Sequence, residues 1–92
     1  MTNSFMVVAK FKDEVTLDDI RPLIPAEQAQ AKLLESQGSI GAIKISLPKR
    51  TTFIEAFGDD ETQVNQTIAT LPMAILWNIE IFPTTPPAGP GL

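Results

Sequence analysis

The fold class this sequence predicts is α+β: one four-stranded antiparallel sheet with two helices packed on it. Three observations carry that expectation. Short apolar segments and longer segments with helical spacing follow one another in the order β-α-β-β-α-β. The strand segments are apolar on both faces. Phe5, Val7, Ala9 and Phe11 share one face of the first, and Met6 and Val8 share the other. Ile75, Trp77, Ile79 and Ile81 share one face of the last, and Leu76 and Phe82 begin and end the other. Finally, 92 residues make one domain with room for about two helices, enough to cover one side of such a sheet. A sheet with one wet face alternates cleanly between apolar and polar residues. These strands do not, so another copy of the chain is expected to cover the second face.

Taken in order, the first strand is expected over about Phe5–Lys12. Thr16 with Asp19 three residues on is a capping-box pattern that opens a helical turn over about Leu17–Leu23. Pro22 and Pro25 are tolerated only in a first helical turn, so a separate helix is expected over about Ala26–Gln37, closed by Gly38. The second strand covers Ile40 to about Leu47. Pro48-Lys49-Arg50 turns the chain into a third strand, Thr51–Phe57, broken by Gly58. Asp59 and Asp60 offer cap oxygens to a second helix with Val64, Ile68 and Leu71 on its stripe, ended by Pro72. The last strand covers about Ile75–Phe82. Residues 1–83 therefore form a single domain. Residues 84–92 form a Pro/Gly-rich tail that reads as a draped arm or as disorder. The element order is that of ferredoxin-like βαββαβ folds, with both helices on one side of the sheet. Packing two open sheet faces together gives a dimeric α+β barrel.

Composition narrows the chemistry. The chain has no Cys, His or Tyr. Disulfides, thiol nucleophiles, thiolate metal sites and imidazole proton shuttles are thereby excluded. Acid–base work falls to Asp, Glu, Lys or water. A net charge of −4 with scattered Lys and Arg makes nucleic acid a poor partner. No apolar stretch approaches the ~20 residues of a membrane helix. The start, MTNSFMVVAK, lacks the basic region of a signal peptide. A soluble protein of the cytoplasm is the resulting expectation. Asp59-Asp60-Glu61 lacks a calcium-loop pattern and reads as a helix start rather than a metal site. No Gly-rich phosphate loop is present. Neither metal nor cofactor is expected.

One set of residues carries a family likeness. It runs from Pro22-Leu23-Ile24-Pro25-Ala26-Glu27 through Leu34 to Gly38, and on through Phe53-Ile54-Glu55-Ala56 and Leu71-Pro72 to Ile79-Glu80-Ile81 and the Pro-rich tail. This pattern resembles the muconolactone isomerase-like group of the dimeric α+β barrel superfamily, over nearly the whole chain. The resemblance implies a ferredoxin-like protomer, a homodimer or ring of dimers, and a pocket between sheet and helices. It also implies cofactor-free proton transfer along a small unsaturated lactone.

Five residues stand out as candidates for that chemistry. Glu55 shares a face of the central third strand with Phe53 and Phe57. Lost solvation there would raise its pKa toward the range of a proton shuttle. The alternative is a structural Glu paired with Lys10 or Lys44. Either Ile54 and Ala56 or Phe53 and Phe57 could meet the helices; the small Ala56 suits close helix packing, an expectation that turns Glu55 to the barrel side. Lys44 points to that side as well if Ile43, Ile45 and Leu47 face the helices. It would then hold an anionic substrate or guard a sheet edge. Glu27, Gln30 and Leu34 fall near one line of their helix and could wall a polar pocket. Otherwise Glu27 simply answers the helix dipole. Arg50 either clamps a carboxylate at a cavity mouth or is a solvated turn charge. Trp77 reads as core or as an interface anchor. Two functions stay open. One is an isomerase with Glu55 as shuttle, Lys44 or Arg50 orienting substrate and Glu27 as a second acid. The other is a non-catalytic small-ligand-binding or assembly module.

Overall fold

The computed structural model of the chain describes residues 2–86. Its sheet has four antiparallel strands in the order β2-β3-β1-β4: β1 Asn3–Phe11, β2 Ile40–Ser46, β3 Thr51–Gly58 and β4 Trp77–Thr84. Helices α1 (Leu17–Ile20), α2 (Ile24–Ser36) and α3 (Glu61–Ala69) complete the ferredoxin-like α+β fold. One 3₁₀ turn, Arg21–Leu23, joins α1 to α2, and another, Pro72–Leu76, leads from α3 into β4. No helix among the described residues is long and apolar enough to cross a membrane.

Local chemistry sets the helix ends. The Asp19 carboxylate accepts the backbone N–H of Thr16 at 2.8 Å and its hydroxyl at 3.1 Å, which stabilises the start of α1. Gly38 follows α2 with φ +75°, a conformation that L side chains adopt at a cost. Its N–H donates to the Glu35 carbonyl, and that of Ser39 to the Leu34 carbonyl, so the helix closes in a full Schellman motif. Asp60 caps α3 by accepting the Gln63 N–H at 2.8 Å. The acidic run Asp59-Asp60-Glu61 thus starts a helix, as its composition suggested.

The core lies between one sheet face and the helices. Phe5, Val7 and Ala9 of β1, Ile54 and Ala56 of β3, Ile40 of β2 and Trp77 of β4 are buried there. Leu34 of α2, Val64 and Ile68 of α3, and Leu71 pack against them. Ala56 meets the helix layer, so Phe53, Glu55 and Phe57 lie on the opposite, open face. Opposite Glu55 the register of β2 shifts: Ile40 pairs with Ala56 but Ile43 with Ile54, leaving Gly41 and Ala42 against one residue. This bulge brings Ile40 onto the same face as Ile43 and Ile45, which plain alternation would forbid.

The last strand begins later than its apolar pattern suggests. Pro72 opens a 3₁₀ turn that runs through Leu76, and the Ala74 N–H donates to the Leu71 carbonyl at 2.9 Å. Ile75 lies on that turn and is 74% exposed rather than on the core face. At the other end β4 continues through Pro83 to Thr84. Pro83 fits because β4 is an edge strand with one side unpaired. Residues 87–92, most of the expected tail, lie outside the described residues.

Candidate functional site

Helix α2 covers its end of the sheet loosely. Its one fully buried residue is Leu34. One and two turns earlier, the inward line carries the small Ala31 and then Glu27. Space is left between α1, α2 and strands β2 and β3, forming a cavity of about 500 Å³. Its walls are almost wholly apolar, with Ile20, Ile43, Ile54, Leu71 and Trp77 among them. Glu27, Gln28, Arg50 and the hydroxyl residues Ser46, Thr51 and Thr52 supply the polar groups. A few polar groups converging in an apolar cavity is the usual form of a small-molecule site.

Glu27 is half-buried, and its Oε1 accepts the Met73 N–H at 2.9 Å. Burial pushes its pKa above the ordinary 4.5, and the Met73 N–H opposes that only in part. Arg50 sits in the β2–β3 turn with φ +51°, a conformation uncommon for any residue with a side chain. Its Nη2 donates to the Val15 carbonyl at 2.7 Å and the Lys12 carbonyl at 3.4 Å. The guanidinium also lies 6.0 Å from the centre of the Phe11 ring. Phe11 in turn is 6.3 Å from Trp77, tilted by 51°. The side chain is therefore pinned at the cavity while its backbone adopts a costly turn.

The structure brings two of the five candidates, Glu27 and Arg50, to one cavity. It sends the other three elsewhere. Gln30 donates from Nε2 to the Thr70 hydroxyl at 2.9 Å, tying α2 to the end of α3. Glu55 lies on the open sheet face, where it accepts the Ala42 N–H at 3.3 Å above the bulge. Gly41 leaves room for that carboxylate, since a Cβ there would collide with Glu55 Oε1. Lys44, opposite Phe53 in the register, is on the same open face. Among the described residues the ion pair within 4.0 Å is Arg21–Asp18, so Glu55 is paired with neither Lys10 nor Lys44. No group of three or more acidic residues among the described ones is placed to hold a metal ion.

Two features of the cavity wall escape sequence reasoning. Gln28, adjacent to Glu27 in the chain, lines the cavity in place of Gln30 because α2 is rotated to present Glu27, Ala31 and Leu34 inward. Trp77 is 5% exposed in the single chain, so its own helix layer already shelters it as core. Its indole N–H is the one buried side-chain polar atom without a hydrogen-bond partner among the described residues. Aromatic residue type alone signals core; the unpaired N–H becomes visible only with its neighbours in place.

Fold and site together define a ferredoxin-like α+β protein with an apolar cavity between helices and sheet, holding one half-buried carboxyl group and one guanidinium. No family model matches the chain, and no curated protein matches it either.

Proposed function

We propose that the chain is a cofactor-free isomerase that moves a proton along a small anionic, unsaturated substrate held in the helix–sheet cavity. The observation that carries this reading is the shared cavity of Glu27 and Arg50. A carboxyl group whose pKa is raised toward neutrality is suited to take a proton from carbon and return it. In the step envisaged, ionised Glu27 removes a proton next to a carbonyl and the electron pair shifts along the unsaturated system. The same carboxyl then returns the proton at another carbon, leaving substrate and enzyme with unchanged totals. Arg50 offsets the negative charge that builds up between the two transfers. Its left-handed backbone supports this role: a glycine would serve the turn better, so the side chain has a use. The likeness to muconolactone isomerases supports the reaction class.

The active form proposed is a homodimer or ring of dimers in the cytoplasm, closed through the open sheet face. That face carries Met6, Val8 and Phe57, with Phe53 and Phe82 at 37% and 46% exposure. Glu55 and Lys44 would then line the barrel between two chains rather than the cavity of one.

Turnover of unsaturated lactone acids, followed by the shift of their ultraviolet absorption, tests the reading. Glu27→Gln is expected to lower kcat about 10²–10⁴-fold, the usual share of a positioned acid–base group. Full turnover by Glu27→Gln would end the proposal. An almost wholly apolar wall also favours a second reading, a binding module without chemistry. Tight ligand binding with no turnover would select it.

A further inference from the structure

We infer that the cavity takes an amphipathic carboxylate whose apolar body fills the interior and extends onto the rim formed by Leu17, Ile45 and Leu47. The inference builds on the cavity being the working site, as proposed above, and concerns what kind of molecule enters it. Three observations point the same way. The first is size. About 500 Å³ lies within the range of cavities that enclose drug-sized ligands, so a single small ring would leave much of it to water against an apolar wall. The second is the rim. Leu17 is 63%, Ile45 64% and Leu47 81% exposed, and all three line the same cavity. Apolar side chains that are both wet and continuous with an apolar interior lose that exposure when a ligand body covers them.

The third observation is charge. Arg50 spends only Nη2 on protein acceptors, the Val15 and Lys12 carbonyls. A guanidinium has five N–H donors in a fixed fork, so those on Nη1 and Nε stay available. No carboxylate among the described residues lies within 4.0 Å of it. An unpaired guanidinium at an apolar cavity selects a planar oxyanion, which a carboxylate matches with two parallel hydrogen bonds. Glu27 does not cancel this preference, because its carboxyl group turns to the Met73 N–H and lies outside ion-pair distance of Arg50. An amine, by contrast, would meet Arg50 as a like charge.

The test titrates the full chain with straight-chain carboxylates from butanoate to dodecanoate, and with decanol and decylamine as charge controls. Trp77, the single tryptophan, lines the cavity and reports binding by its fluorescence. Affinity is expected to rise about fourfold per methylene until the chain overruns the rim. Decanoate should bind about tenfold or more tightly than decanol, and decylamine more weakly than either. Arg50→Gln should erase the advantage over decanol and keep the dependence on length. Ile45→Ser with Leu47→Ser should flatten only the long end of the series; both side chains are largely exposed, so folding is not at stake. Equal affinity across the lengths, or decanol matching decanoate, overturns the inference. So does a double variant that changes the sedimentation coefficient and leaves long-chain affinity intact, because another protein chain would then be what covers the rim. The two proposals fail separately. Length-dependent carboxylate binding without turnover removes the isomerase alone. Turnover of a short lactone acid with no preference for length removes this inference alone.

Discussion

Burial acts on Glu27 as on any carboxyl group: it disfavours the charged form, and here the Met73 N–H offsets the effect only in part. That imbalance has a consequence for stability with a definite sign. The folded chain holds a proton at Glu27 at pH values where the unfolded chain has released it, from the ordinary 4.5 upward. Unfolding therefore becomes easier as pH rises through the interval between 4.5 and the raised folded value. Below that interval both states are protonated and the group's contribution is complete and constant. Glu27→Gln removes the titration while keeping an acceptor for Met73. Thermal melts across the acidic range are expected to show the native chain losing stability relative to this variant as pH rises, with parallel curves at the acid end. A gap that widens toward acid would contradict the sign. At this scale the sequence was half legible. It marked Glu27 and Arg50 by residue type and position, and both reach the cavity. It marked Gln30 by helical spacing, but spacing alone does not say which way a helix is turned.

Helix α2 illustrates what an element owes to its ends and to its partners. Gly38 lies just past it at φ +75°, and nothing lies within 4 Å of where a Cβ would stand. Any cost of Gly38→Ala is thus conformational rather than steric. The substitution is expected to destabilise the chain by about 1 kcal/mol, the strain of a left-handed non-glycine residue. Urea denaturation measures it: the midpoint should fall with m unchanged. Gly38 was readable from the sequence because glycine after a periodic segment is a local signal. The bulge in β2 was not. Strict alternation placed Ile43 and Ile45 correctly on the helix side but set Ile40 against them. Only pairing with β3 shows that Gly41 and Ala42 together face Glu55. The start of β4 failed for a related reason. Helix α3 ended at Ala69, before Pro72, which instead opened a 3₁₀ turn, and the apolar run Ile75-Leu76 looks alike in turn and strand.

For the whole molecule, the second sheet face is the one its own helices leave uncovered. Its apolar centre, Met6, Val8, Phe53 and Phe57, is ringed by Lys10, Lys44 and Glu80 on the same side of the strands. Under the proposed dimer, Phe53→Lys sets a second positive charge opposite Lys44 in the contact while leaving the helix-side core untouched. Sedimentation velocity is expected to give a dimer for the native chain and a folded monomer for the variant. A native chain that stays monomeric at every concentration removes the dimer, and with it the reason for placing Glu55 in a barrel. The cavity of Glu27 and Arg50 lies within one chain, so the isomerase proposal survives that outcome.

Local rules were enough to determine the element order, the helix caps and the alternation of β1, whereas which face of β3 meets the helices was settled by packing. The former follow from residue type, period and turn chemistry within a few positions of each other. Local rules were also enough to exclude cysteine and imidazole chemistry. Tertiary structure alone decided which polar groups meet. Glu27 and Arg50 are far apart in the chain, and they share a cavity because α2 turns the small Ala31 inward where a large residue would have filled the space. A void has no residue of its own, so its position follows from how the elements pack.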